Sequence, residues 1–209
     1  MAVPYGDTVS FGQGAEHAPA AIRACLDRQI EPYHWPTQAT PVERLWIAWQ
    51  YVGGNPLDQS FVSPERMVEA VEQAYSFGLS QGKFIVAIGG EHSVPVGIFR
   101  ALAKKHRPEE VTILQIDAHY DLRQDDSDFM DEPHGPYAHC SVMRRAAELG
   151  YQIVSVGIRD YSREEQLFAE SLCREGRMCV LPYDRDWPVQ PSPHDERLQA
   201  EKVLGAIST

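Results

Sequence analysis

Short apolar runs alternate with helical patterns along most of this 209-residue chain. Runs rich in valine, isoleucine and leucine predict strands. These runs are residues 83–88, 111–116, 152–156 and 178–181. Helical spacing of apolar residues predicts helices between and after them. The predicted helices cover residues 64–78, 95–105, 141–149, 163–176 and 194–207.

Two helix starts carry recognisable caps. Ser63 precedes Pro64, which is the arrangement of an N-cap followed by proline at the first helical position. Ser162 stands three residues before Glu165 and predicts a capping box. Nearly continuous apolar strands separated by helices indicate an α/β fold with a buried parallel sheet.

Composition narrows the classes of partner. The net charge of −11 and the pI of about 5.1 disfavour nucleic acid and membrane surfaces, which are themselves anionic. The N-terminus lacks the pattern of a signal peptide, and no apolar run approaches the roughly 18 residues of a membrane span. The four cysteines form no C-x-x-C pair, so we expect reduced, mostly buried thiols in a cytoplasmic protein.

Polar segments follow two of the predicted strands directly. The first is G-G-E-H-S at residues 89–93, and the second is D-A-H-Y-D at residues 117–121. In parallel sheets, ligands gather at the carboxyl ends of the strands. Alternate residues of an extended segment point the same way, so Asp117 and His119 are expected to converge, and Asp121 continues that period.

These residues have the chemistry of a metal site. A lone histidine such as His92, or a lone aspartate in a loop, would more often serve packing or capping. Together the two segments offer imidazole and carboxylate donors without thiolates, which favours Mn²⁺, with Zn²⁺, Co²⁺ or Ni²⁺ as alternatives. A pair of ions about 3.5–4 Å apart can generate a nucleophile from water at neutral pH.

The same segments resemble motifs of the ureohydrolase (arginase/agmatinase) family. They match its G-G-[DE]-H-S and D-A-H-x-D patterns, and three further segments match its bacterial and archaeal agmatinase-like branch. These are L-R at 122–123, H-x-x-V-M-R-R at 139–145 and S-V-G-I-R at 155–159. The resemblance runs from about residue 3 to about residue 182. It implies a three-layer arginase-like fold, with a mostly parallel sheet flanked by helices, in a single but incomplete domain over residues 1–209.

The resemblance also implies a ligand set. His92, Asp117 and Asp121 would bind the first manganese ion of a binuclear site. His119 and a bridging Asp117 would bind the second ion.

Other roles follow from the same resemblance. His139 matches the family histidine that exchanges a proton near the substrate, so we expect it to act as the general acid/base. His134 is a rival that we interpret as an exposed loop histidine. Glu91 and Ser93 are expected to orient the metal ligands. Cys140 follows His139 directly, and neighbouring side chains point apart, so we expect a small buried residue there instead of a thiol nucleophile.

One part of the family pattern has no counterpart in this sequence. The family continues with S-x-D-x-D-x-x-D-P on a later strand, whose aspartates complete the metal site. The D-x-D segments here, at residues 126–128 and 184–186, lie outside apolar strands and are not followed by D-P. We therefore expect a fold truncated at the C-terminus, and little or no activity from this chain alone.

The implied reaction is manganese-dependent hydrolysis of a small cationic guanidino substrate. We favour agmatine, which gives putrescine and urea in polyamine metabolism. Arginase, guanidinobutyrase and formimidoylglutamase activities remain alternatives, as does a non-catalytic or split-gene subunit. A homo-oligomer, a trimer or a hexamer, is the assembly that the resemblance implies.

Overall fold

A computed structural model describes residues 1–28, 31, 33–40, 47–53, 61, 63–182 and 193–207. The chain divides into two compact units, residues 1–98 and 99–209. Both contain parallel strands and helices, which confirms the predicted α/β class.

In the first unit, two short parallel strands lie beside helices. Strand β1 (Ala2–Val3) pairs with β2 (Ile88–Gly89). Helix α1 spans Ala18–Arg28, and α2 spans Pro64–Ser80. The predicted cap is present, because the Ser63 side chain accepts a hydrogen bond from the backbone N–H of Arg66. Fully buried side chains of β1 and α2 supply apolar core in this unit.

The strand predicted at residues 83–88 is shorter than expected. Only Ile88 and Gly89 belong to β2, and Phe84 and Val86 are exposed. Among the described residues of this unit, Ala2 and Val3 are the ladder partners, and two residues can pair with only two. Residues 83–88 therefore have a high strand propensity, but among the described residues of this unit most of them have no neighbouring strand to pair with.

The second unit is built on a three-stranded parallel sheet. Strands β3 (Thr112–Ile116), β4 (Gln152–Ile158) and β5 (Met178–Pro182) lie in the order β3-β4-β5. Helix α3 (Pro95–Ala103) begins in the first unit and ends in the second, and α4 (Val142–Leu149) lies between β3 and β4. Helix α5 (Arg163–Arg174) lies between β4 and β5, and its predicted capping box is present.

The parallel register brings the carboxyl ends of these strands to one edge. Ile116 pairs with Val156, and Ile158 pairs with Pro182. The D-A-H-Y-D segment follows β3 at that edge. This is where the sequence predicts ligand-binding side chains.

Helix α6 (Pro193–Ile207) matches the last predicted helix, whereas residues 183–192 lie outside the described part of the chain. Cys140 is buried, but Cys25 and Cys173 are exposed on α1 and α5. The prediction of mostly buried thiols is therefore wrong. Among the described residues, no helix combines the length and the apolar character needed to span a membrane.

Candidate metal centre

The turn after β2 is packed against the N-terminal segment. A Cβ atom on Gly90 would lie 2.1 Å from the carbonyl oxygen of Tyr5 and 3.0 Å from the carbonyl carbon of Ala15. The next residue, Glu91, donates its backbone N–H to the Tyr5 carbonyl at 3.0 Å. The second glycine of the G-G-E-H-S motif is therefore required by close backbone approach.

The carboxylate of Glu91 organises the same turn. One oxygen accepts a hydrogen bond from the Ser93 backbone N–H at 2.7 Å. The other accepts from the Ser93 hydroxyl and, at 2.7 Å, from the Thr8 hydroxyl. These bonds hold the backbone on both sides of His92, which is half-buried. The orienting role expected of Glu91 and Ser93 stays a prediction, and this geometry is what that role requires.

Asp117 and His119 converge after β3, as the alternation predicts. The Asp117 Oδ1 atom accepts the His119 backbone N–H at 2.9 Å and lies 3.5 Å from the His119 Nδ1 atom. One ligand atom of Asp117 and one of Asp121 lie within 4.8 Å of each other. Two carboxylates and an imidazole therefore share one strand end.

The extended alternation does not continue to Asp121. This residue has a left-handed backbone, with φ of 51°, and its side chain is buried. Its carbonyl oxygen accepts the backbone N–H groups of Met143 and Arg144 at 3.0 and 3.1 Å, at the start of α4. The backbone of Asp121 is thus fixed by helix α4 and not by a continued strand.

The end of β4 supports the segment that carries Asp117. The Asp117 backbone N–H donates to the Val156 carbonyl at 3.0 Å. Gly157 has φ of 91°, and a Cβ atom there would lie 3.1 Å from the Asp117 carbonyl oxygen. The glycine of the S-V-G-I-R segment therefore allows β4 to approach the candidate ligand.

His119 has a second acidic neighbour that the sequence did not single out. Its Nε2 atom lies 3.6 Å from a carboxylate oxygen of Asp160, and the two residues form an isolated parallel bridge. The Arg159 and Asp160 backbone N–H groups both donate to the Ala118 carbonyl. The position of Asp160, directly after the S-V-G-I-R segment, was the available signal in the sequence, but only the pairing of β3 with β4 reveals the contact.

His139 begins the 3₁₀ helix His139–Ser141, which leads into α4. The backbone N–H of Arg123 donates to the carbonyl of Cys140 at 3.2 Å. The chain on either side of the intervening loop is therefore joined near His139. Its role as general acid/base stays a prediction.

The interpretation of His134 as an exposed loop histidine is wrong. The carboxylate of Asp126 is fully buried and accepts the backbone N–H groups of His134 and Gly135 at 2.9 and 3.2 Å. The His134 Nδ1 atom lies 2.6 Å from its other oxygen, and the imidazole is half-buried. The sequence did not reveal the hydrogen bonds between Asp126 and His134, because the two residues are eight positions apart in a loop of polar composition.

The thiol of Cys140 is protonated at neutral pH. Burial, together with the nearby carboxylates of Asp121 and Asp126, raises its pKa to about 12. The thiolate is the nucleophilic form, so this environment opposes nucleophilic chemistry. The sequence-based prediction of a small buried residue at this position is confirmed.

Comparison with known proteins identifies the group to which this chain is similar. The profile of the arginase family matches residues 1–177. The N(1)-aminopropylagmatine ureohydrolase of Synechocystis sp. is 34% identical over 163 residues, which are 78% of this chain and 51% of that protein. The agmatinase of Bacillus subtilis is 29% identical over 165 residues, 78% of this chain and 52% of that protein.

A solved structure agrees with these matches. The agmatine ureohydrolase of Thermoplasma volcanium superposes with a TM-score of 0.65 at 29% identity, covering 87% of this chain and 55% of that chain. This similarity confirms the arginase-like α/β fold. The chain spans about half the length of the curated relatives it matches. Because the family profile covers most of the sequence, at residues 1–177, the chain belongs to the arginase family.

Proposed function

We propose that this chain supplies ligand segments to a binuclear manganese centre that hydrolyses a guanidino group to urea and an amine. The observation that carries the proposal is the strand end after β3, where Asp117, His119 and Asp121 lie together. Membership of the arginase family and similarity to two ureohydrolases support the same chemistry.

The donor set fits the proposed metal. His92, Asp117 and Asp121 each offer one atom that can bind a metal ion. Imidazole nitrogen and carboxylate oxygen without thiolate are donors that suit Mn²⁺. His92, Asp117 and Asp121 would hold a first ion, and His119 and Asp117 would hold a second.

The chain's own residues carry the remaining chemistry. A bound metal pair would supply the nucleophile that attacks the planar guanidinium carbon at neutral pH. His139 then gives a proton to the departing amine nitrogen as its bond to that carbon breaks. Glu91, through Ser93, holds the turn that bears His92. Urea and an amine are the products.

We propose agmatine as the substrate, with putrescine as the second product, in cytoplasmic polyamine metabolism. A second candidate is N(1)-aminopropylagmatine, because the Synechocystis relative that bears this substrate in its name is 34% identical. Both are flexible cations, which agrees with the net charge of −11. A trimer or hexamer is the proposed assembly.

The assigned ligands can be tested by the affinity of the chain for Mn²⁺. We expect Asp121→Asn and Asp117→Asn each to raise the dissociation constant by at least tenfold, because each removes a ligand charge. The concentration of free Mn²⁺, followed by electron paramagnetic resonance during titration, measures this change.

Asp131→Asn is the matched control. It removes the same charge from an exposed position in the neighbouring loop. Its dissociation constant should stay within about twofold of the wild-type value, because exposed charges interact weakly across solvent. Equal losses in all three variants would show that the effect is general electrostatics, and unchanged binding in both ligand variants would contradict the assignment.

A further inference from the structure

The carboxylate of Glu165 is buried, with 4% of the residue exposed, although the proposed chemistry does not use it. Its Oε1 atom accepts the backbone N–H of Leu122 at 3.1 Å. Its Oε2 atom accepts the backbone N–H and the hydroxyl of Ser162, both at 2.9 Å. One side chain therefore joins the start of α5 to the segment after β3.

The point of attachment lies next to Asp121. Leu122, whose N–H is bound by Glu165, is fully buried. Asp121 itself has φ of 51°, a conformation that is uncommon for non-glycine residues, although aspartate adopts it more often than most. The Asp121 carbonyl, which belongs to the same peptide group as the Leu122 N–H, accepts two backbone N–H groups from α4. Hydrogen bonds from two different helices therefore enforce the backbone at this residue.

Arg123 compensates the buried charge. Its Nε atom lies 3.6 Å from the Oε2 atom of Glu165. The same guanidinium pairs with Asp128 and lies over the ring of Phe129, with 5.0 Å between Cζ and the ring centroid. A buried carboxylate is tolerated where hydrogen-bond donors and a cationic neighbour surround it.

We propose that Glu165 is a positioning residue for metal binding, which holds the backbone of Asp121 in its left-handed conformation so that its carboxylate faces Asp117. This inference rests on the proposed function, because it assumes that Asp121 is a metal ligand. Glu165 would not touch the metal. It would act through Leu122, which follows Asp121 directly.

The substitution Glu165→Gln separates this role from helix capping. A capping box accepts glutamine as well as glutamate at this position. Glutamine has a single acceptor oxygen, however, and cannot reproduce an arrangement in which one oxygen accepts from Leu122 and the other from Ser162. The variant should keep the start of α5 and release the amide of Leu122.

Ser162→Ala makes the opposite change. It removes the hydroxyl that accepts the Glu165 backbone N–H at 3.2 Å, while the carboxylate can still bind Leu122. Glu164→Gln is the charge control, because Glu164 is exposed in the same first turn. Circular dichroism at the assay temperature establishes that every variant is folded.

The experiment is titration of the purified 209-residue protein with Mn²⁺ alone, followed by electron paramagnetic resonance. We expect Glu165→Gln to raise the dissociation constant about tenfold or more, as loss of a group that orients a ligand typically does. Ser162→Ala and Glu164→Gln should stay within about twofold of wild type. Hydrogen exchange without metal should be faster at Leu122 in Glu165→Gln alone.

The outcomes separate this inference from the function on which it rests. Wild-type affinity in Glu165→Gln, or an equal loss in Ser162→Ala, would overturn the positioning role while leaving the metal site standing. A wild-type protein that takes up no Mn²⁺ would overturn the metal site, and the positioning role with it. Unchanged exchange at Leu122 would contradict the hydrogen bond from which the inference starts.

Discussion

The thiol of Cys140 is buried, and its Sγ atom lies 3.8 Å from the Asp125 carbonyl oxygen. Burial and the carboxylates of Asp121 and Asp126 raise its pKa from 9.0 to about 12. In the unfolded chain the thiol has a pKa near its ordinary value. Between pH 9.0 and about pH 12, therefore, the thiol is protonated in the folded protein and largely ionised in the unfolded chain. The stability from this group is complete below about pH 9 and is lost as the pH rises towards about 12.

Alkylation measures this environment directly. At pH 8 we expect iodoacetamide to modify the exposed Cys25 and to leave Cys140 unmodified, because Cys140 is both buried and protonated. Peptide mass spectrometry gives the modified fraction at each site. Cys25 serves as the internal control, and modification of Cys140 at the same rate in the folded protein would contradict the described environment.

The chemical identity of the candidate site residues could be predicted from the sequence, but their neighbours could not. The sequence motifs that follow the predicted strands identify four candidate ligands: His92, Asp117, His119 and Asp121. The buried partners Asp126 and Glu165 stand in polar segments that resemble ordinary loop and cap sequence. Only their tertiary hydrogen bonds distinguish these two carboxylates from ordinary loop and cap residues. Asp126 bonds to His134, 8 residues away, and Glu165 bonds to Leu122, 43 residues away.

At the scale of elements, α2 and the first turn of α3 are in close contact through Gly97. A Cβ atom there would lie 2.6 Å from the carbonyl oxygen of Val68 and 2.7 Å from the Cβ atom of Val71. Both distances are too short for a methyl group. The glycine sets how closely the two helices approach.

Gly97→Ala should therefore destabilise the protein although alanine favours helix. We expect a loss of about 1–3 kcal/mol in the free energy of unfolding, the usual cost of overpacking. Urea denaturation followed by circular dichroism measures it. Gly205→Ala is the control, since its Cβ would meet nothing within 4 Å in α6, and it should be neutral or stabilising by up to about 1 kcal/mol. A stabilised Gly97→Ala protein would contradict the close packing.

The sequence predicted the type of most helices and strands correctly, but it predicted the burial of their side chains less well. Helices α2, α4 and α5 begin within a residue of their predicted starts, because caps and periodicity are local signals. Strand β4 is largely buried, as its apolar run predicts. In β3, by contrast, Leu114 and Ile116 are 41% and 78% exposed. That strand is an edge of the three-stranded sheet, and edge position is a property of topology that a single run does not encode.

At the scale of the whole molecule, the family was accessible from sequence because two strand-end motifs and their spacing are specific. The match of residues 1–177 to the arginase family confirms that prediction. The family aspartates of S-x-D-x-D-x-x-D-P have no counterpart in the sequence, and the chain spans about half the length of its relatives. We therefore propose that these residues supply only part of the ligand set of the metal centre.

The incomplete ligand set is tested by the manganese content per chain, which elemental mass spectrometry measures after purification in Mn²⁺. Urea release from agmatine is assayed on the same sample. We predict one weakly held ion per chain, with little or no urea. The ligands assigned here leave the second ion with only His119 and the shared Asp117. Two tightly bound ions with sustained urea release would contradict the incomplete ligand set. That result would mean that residues outside the assigned set complete the metal site.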